Sequence, residues 1–114
     1  MLQKIDKFEE DLGFLESNIT TGKLATKFET NSKYLSRIIN TYKKKSFIQY
    51  INDLRIDFVV EKLKEDRKMR NYTIKAISRE IGFNTTEAFS KSFHKKTGIY
   101  PSYFIKRLDS QDNI

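Results

Sequence analysis

Cysteine is absent from this chain of 114 residues, which holds one histidine, one proline and four glycines. Without cysteine, disulfide scaffolds and thiolate metal sites are excluded, and a reducing compartment suits the composition. A lone histidine, His94, rules out a histidine-rich metal site, and no cofactor or metal is expected. One proline leaves helices largely unbroken. No apolar run approaches the length of a membrane span or a signal-peptide core, so the expectation is a soluble, unprocessed, cytoplasmic chain that touches no membrane. No β-alternating run is long enough to mark a strand.

Bulky apolar material and positive charge are abundant instead. Nine Phe and six Tyr contribute to a hydrophobic fraction of 38%, and the net charge is +7. The charge is unevenly placed. Residues 1–19 carry Asp6, Glu9, Glu10, Asp11 and Glu16 against Lys4 and Lys7 only. The whole basic excess therefore lies beyond residue 19, where a polyanionic partner is one explanation and solubility the other.

Apolar residues recur at helical spacing along almost the whole chain. Leu2, Ile5, Phe8, Leu12 and Leu15 form a first stripe that ends near Ser17 and Asn18. Thr20 or Thr21 can cap a second helix, with Leu24, Ala25 and Phe28 facing inward. Asn31 or Ser32 can cap a third, with Leu35, Ile38 and Ile39 inside. A long helix from about 46 to 64 follows, about 28 Å at 1.5 Å per residue. Residues 65–72 are charged and read as a connector. Thr73 can cap a short helix with Ile74, Ile77 and Ile81 inside. Gly82 and Phe83 break it, and Asn84 or Thr85 starts the next, whose core face is Phe89 and Phe93. Gly98 suits the left-handed residue that ends a helix, and Pro101 the first turn of a last one reaching about 109.

Two stretches share one pattern: LATKFETNSKYLSRII at 24–39 and ISREIGFNTTEAFSKSF at 77–93. Leu24, Ala25 and Phe28 correspond to Ile77, Ser78 and Ile81 at one offset. Leu35, Ser36, Arg37 and Ile39 correspond to Phe89, Ser90, Lys91 and Phe93 at an offset longer by one. Each copy reads as a helix, a tight turn and a second helix, with a small residue (Ala25, Ser78) at the crossing. The expected fold is all-α, about seven helices, with two helix-turn-helix subdomains joined by the long helix. The expected divisions are an acidic helix at 1–19, the first motif at 20–45, connecting helix and linker at 46–72, and the second motif with the C-terminal helix at 73–114.

The second copy, IGFNTTEAFSKSFHKKTGIYP, together with SFIQYINDLRI at 46–56, resembles the C-terminal DNA-binding domain of AraC/XylS-type transcription regulators. The likeness spans about residues 20 to 108. Departures are few: Ser78 stands where alanine is usual, Ile105 where arginine is, Lys45 where the first half often has glycine, and Glu29 in place of the first turn's glycine. The resemblance implies sequence-specific binding of double-stranded DNA in transcription control, without catalysis, in a bacterial cytoplasm and on the nucleoid when bound. It also implies RNA polymerase and a separate sensor or dimerisation domain as further partners; none of the latter fits in this chain, which either stands alone, as some members do, or is a piece of a larger regulator.

In a helix-turn-helix the second helix enters the major groove. Outward positions of the first copy are Ser32, Lys33, Ser36, Arg37 and Asn40. The resemblance makes Lys33, Ser36 and Arg37 base-facing, and Arg37 can pair bidentately with guanine O6 and N7. In the second copy the matching candidates are Thr86, Glu87, Ser90 and Lys91. Glu87 lies three residues after Asn84, so a capping-box role competes with a cytosine contact. Lys43, Lys44, Lys95 and Lys96 follow the two reading helices and are candidate phosphate contacts, as are the hydroxyls of Thr21, Thr73 and Thr85 at helix starts. His94 is a further phosphate candidate, with an exposed, unengaged imidazole as the plain alternative. An enzyme finds no support in one histidine and no phosphate-cradling glycine loop. A helical interaction module fits the stripes but leaves the lysine-flanked repeat unexplained, and nonspecific nucleic-acid binding needs no duplicated reading helix.

Overall fold

The computed structural model describes residues 1–112. Among them are seven α-helices and no strand: α1 (Leu2–Glu10), α2 (Thr21–Lys27), α3 (Ser32–Lys43), α4 (Phe47–Glu65), α5 (Ile74–Glu80), α6 (Thr86–Thr97) and α7 (Pro101–Asp112). Single 3₁₀ turns at Gly13–Leu15 and Met69–Asn71 lead into α2 and α5. No described helix is long and apolar enough to cross a membrane. The radius of gyration is 15.3 Å and the extents are 50 × 24 × 22 Å. A compact chain of this length would have a radius near 13 Å, so the molecule is drawn out along one axis.

Two hydrophobic clusters lie along that axis. The first gathers Ile5, Phe8, Leu24, Leu35, Ile39 and the early α4 residues Phe47, Tyr50 and Ile51. The second gathers Ile56, Val59 and Leu63 from later in α4 with Ile77, Ile81, Phe89 and Phe93. Thus α4 gives one stretch of its length to each cluster. Leu15 and Phe58 pack against both. Leu35, Ile39, Phe89 and Phe93 are all fully buried, each contributing about 1.5–3 kcal/mol through burial.

The repeat extends to backbone detail. Thr20, Asn31, Thr73 and Thr85 begin α2, α3, α5 and α6, each side chain accepting a hydrogen bond from the backbone N–H three residues on. Such a cap satisfies a donor that the helix leaves orphaned. In the turns, Thr30 N–H reaches Ala25 O and Phe83 N–H reaches Ser78 O, both at 2.9 Å. Glu29 stands at φ 60 and Gly82 at φ 95. The first turn is therefore the same left-handed turn as the second, made with a glutamate. The extra residue of the second copy is Asn84, inserted after the turn and before the cap.

The two second helices also end alike. Lys44 has φ 61 and Gly98 φ 83, each closing its helix in the left-handed region. The residue matched to Gly98 is thus Lys44, and not Lys45 as the sequence suggested. Beyond these, α4 and α7 start at corresponding places, Tyr50 N–H bonding to Ser46 O and Phe104 N–H to Tyr100 O. Each half is therefore three helices long, one more than the sequence comparison found.

The N-terminal stripe behaves differently from expectation. Helix α1 stops at Glu10, Leu12 turns left-handed at φ 57 and is 42% exposed. The chain turns there so that Phe14 and Leu15 meet α4: the Phe14 and Phe58 rings pack edge to face at 6.1 Å. At the other end α7 runs to Asp112, past the expected 109. The charged connector holds the buried Arg70, whose guanidinium donates to Leu63 O at 2.7 Å and Lys64 O at 3.0 Å, closing the end of α4. It also pairs with Asp109 at 3.2 Å and with Asp112, tying α7 to α4.

Candidate nucleic-acid interface

The inward residues of α3 leave one side of the helix to solvent. Lys33, Ser36, Arg37 and Asn40 are all exposed, and at 100° per residue they fall within an arc of about 100°. Helix α6 repeats the arrangement. By the offset of its cap, Glu87 corresponds to Lys33, Ser90 to Ser36, Lys91 to Arg37 and His94 to Asn40. The two arcs differ in chemistry. The first presents two cations, whereas the second pairs a cation with a carboxylate.

Thr86 and Ser90 are half-buried, Glu87 and Lys91 exposed. The cap of α6 is Thr85, whose hydroxyl oxygen accepts from Ala88 N at 3.1 Å. Ala88 thus holds the third helical position, so Glu87 cannot complete a capping box. That expectation was wrong because the cap falls one residue later than Asn84, whose side-chain amide instead donates to Asn18 Oδ1 at 2.7 Å. The capping box that does form joins Ser46 and Gln49 at the start of α4.

The lysines divide into held and unheld. Lys43 lies 3.3 Å from Glu9 and 5.9 Å from the centre of the Tyr50 ring. The Tyr50 hydroxyl donates to the same carboxylate, and burial, reinforced by Glu9, pushes its pKa well up. Lys96 is 3.3 Å from Asp57 and 3.8 Å from Asp53, which Lys45 also approaches to 2.5 Å. Lys44 and Lys95 are exposed and have no carboxylate partner among the described residues. His94 is exposed but engaged, its ring stacked on Tyr100 at 4.4 Å.

Of the hydroxyls, Thr73 and Thr85 accept from their own helices, and each keeps its hydroxyl hydrogen to donate outward. Thr21 is the first residue of α2 rather than its cap, which is Thr20. Two exposed aromatics went unremarked in the sequence, Tyr34 at 42% and Tyr42 at 58% on α3. Spacing gives no signal for Tyr42, which lies seven residues after Leu35 and four after Ile38 and so continues the inward stripe, yet stands exposed.

Known proteins share this arrangement. A family model described as a helix-turn-helix domain matches residues 24–107. The chain is 22% identical over 111 residues to the raffinose operon transcriptional regulatory protein RafR of Pediococcus pentosaceus, covering 94% of this chain and 39% of RafR. The chain therefore spans less than half the length of that relative. The C-terminal domain of AraT, a response regulator from Geobacillus stearothermophilus, superposes with a TM-score of 0.76 at 24% identity, over 91% of this chain and 84% of that one. An AraC-type transcriptional regulator structure from Chromobacterium violaceum gives 0.73 at 18% identity, over 92% and 88%. At such identities the structural likeness speaks to the fold.

Proposed function

Because the chain belongs to the AraC/XylS-type helix-turn-helix family, whose domain binds DNA in transcription regulation, we propose that it reads one double-stranded site through α3 and α6 together. One observation carries this reading: the same capped, left-handed-turn motif is built twice on one strut, with corresponding faces of α3 and α6 left open. Successive major-groove entries on one face of B-DNA are about 34 Å apart. The 50 Å long axis is enough to meet two of them.

On this reading Lys33, Ser36, Arg37 and Asn40 face bases in one groove, with Arg37 forked to a guanine. Thr86, Glu87, Ser90 and Lys91 face the next groove, with Glu87 able to accept from cytosine N4. Lys44 and Lys95 neutralise phosphates, Lys43 and Lys96 do so less, and the hydroxyls of Thr21, Thr73 and Thr85 donate to backbone oxygens. His94 sits beside them on its tyrosine platform. Further partners on this reading are RNA polymerase and, where the domain works within a longer regulator, a sensor or dimerisation domain, and the site of action is the cytoplasmic nucleoid.

Selecting bound sequences from a random duplex pool tests the reading. The expected product is a non-palindromic site of about 15–20 base pairs with two preferred patches one turn, about 10 base pairs, apart. A single short patch would show that only one of the two helices reads sequence.

A further inference from the structure

The two clusters meet around Leu15 and the middle of α4, where a rotation of one half against the other would redirect its reading helix. Two sets of contacts oppose that rotation. On one face of α4, Arg55 is 7% exposed, and its guanidinium donates to Phe14 O at 2.6 Å and Glu16 O at 2.8 Å. The same group lies 5.3 Å from the centre of the Phe83 ring, in the turn of the second motif. A Cβ on Gly82 would stand 2.7 Å from Leu15 O and 2.9 Å from Arg55 Nε. Asn18 and Asn84 close the same seam. One side chain thus joins the segment before α2, the strut and the second turn.

The second set lies across the helix. Asp53 and Asp57 are each two residues from Arg55, hence about 160° round the helix from it. Asp53 holds Lys45 from the end of the first motif, and both aspartates face Lys96 from the end of the second. The first set is buried and built on backbone carbonyls. The second is partly exposed and open to screening by salt.

We propose that Arg55 is a positioning residue for DNA recognition: by bracing residues 14–18 against the turn at Gly82 and Phe83, it sets the angle between α3 and α6, and with it the spacing of base patches the protein accepts. Arg55 touches no base on this account. This proposal rests on the two-helix reading above, since a spacing preference requires both helices to bind at once. Its energetic basis is effective concentration: once one helix is seated, the second is presented at a fixed place, and loosening the link dilutes it.

The test compares the wild type with Arg55→Met, and with Arg55→Lys if Arg55→Met does not fold. Lysine keeps the charge and loses the fork that binds two carbonyls. Because the chain has no native cysteine, Thr41→Cys and Lys95→Cys can carry spin labels on α3 and α6. Pulsed spin-resonance distances then report the angle without any DNA. Unlabelled proteins are titrated with a selected duplex, with copies lengthened or shortened by one and two base pairs between the patches, and with duplexes holding one patch. In a variant with wild-type helical content, the distance distribution should broaden. Affinity for the two-patch site should fall at least about tenfold with one-patch affinity unchanged, flattening the spacing profile. An unchanged distance distribution, or equal losses on one-patch and two-patch duplexes, overturns the proposal. A broadened distribution alongside a wild type indifferent to spacing refutes the two-helix reading instead, and removes the role in specificity with it.

Discussion

Glu29 and Gly82 occupy the same left-handed step of the same turn, at φ 60 and φ 95, with the next N–H returning to the carbonyl five residues back in both. Glycine takes that conformation freely, whereas a residue with a Cβ is strained there by about 1 kcal/mol or more. Gly82 has a second constraint that Glu29 lacks, since an added Cβ would press on the Leu15 carbonyl and the Arg55 guanidinium.

Replacing Glu29 by glycine should therefore stabilise the protein by about 0.5–1 kcal/mol, part of the relief being offset by a freer unfolded chain. Gly82→Ala should cost at least about 2 kcal/mol, combining backbone strain with a close contact against backbone. Thermal melts of the two variants check both signs. A lowered melting temperature for Glu29→Gly would mean that the glutamate side chain stabilises its turn by more than the strain it introduces.

If about 6 phosphates are neutralised, log K should fall against log salt with a slope near −5. Lys44→Ala and Lys95→Ala should each flatten that slope by about 1. Lys43→Ala and Lys96→Ala should flatten it less, because their ammoniums already face Glu9 and the pair Asp53 and Asp57. Equal effects from all four would mean that these internal pairs open freely to DNA.

Arg37→Ala separates reading from positioning. On a selected site it should cost about 1–3 kcal/mol and relax one or two base pairs, while random DNA loses much less. Titrations of both duplexes decide the matter, and equal losses on the two would make Arg37 a phosphate contact.

The pH dependence should carry a signature of Arg70. Its hydrogen bond, reinforced by charge, holds the Asp112 carboxyl below the ordinary value of 3.8. A carboxyl depressed in the folded state contributes stability above its ordinary pKa and loses it as pH falls through the folded one. Wild type should thus outlast Asp112→Asn near neutrality, and the gap should close below pH about 4. Melting curves across pH 2–7 measure it, and a gap constant with pH would show that the pairing is not what separates the two proteins.

Much of this fold was written locally. The one-residue change of offset, the small residues at the crossings, Gly98 and Pro101 each follow from the chain's immediate neighbourhood, where spacing and φ preference act. What escaped was long-range. Arg55 drew no reading from the sequence and Arg70 was one charge of a connector, because the Phe14 and Glu16 carbonyls that hold Arg55 lie 41 and 39 residues away, and the Asp109 and Asp112 carboxylates that pair with Arg70 lie 39 and 42 away. The end of α1 escaped likewise: Leu12 continues a perfect stripe, while the break there brings Gly13 so close to the Phe8 ring that a Cβ would stand 2.5 Å from it. The partners of Lys43 and Lys96 are set by how whole helices pack, which no run of lysines reveals.

Glu87 is the residue whose role the structure changes most. With Thr85 capping α6 and Ala88 in the third position, the glutamate is spared from capping and stands exposed at the place corresponding to Lys33. Removing it should cost only the modest attraction between an acid and a helix N-terminus, about 0.3–1 kcal/mol. Its effect on DNA should have two opposite parts. A carboxylate close to phosphates repels them, so Glu87→Ala should bind random duplex more tightly than wild type. A carboxylate aimed at a base edge accepts from cytosine N4 and rejects the acceptors of guanine, so the same variant should lose a cytosine preference by about 1–3 kcal/mol. Glu87→Gln sharpens the test, because it removes the charge and keeps the carbonyl acceptor: affinity for random DNA should rise while some cytosine preference stays. Selecting sites for the three proteins from one random pool measures both parts at once. If the preferred sequences in the second patch are identical in all three, Glu87 reads nothing, and the second motif discriminates, if at all, through Lys91 and its hydroxyl neighbours.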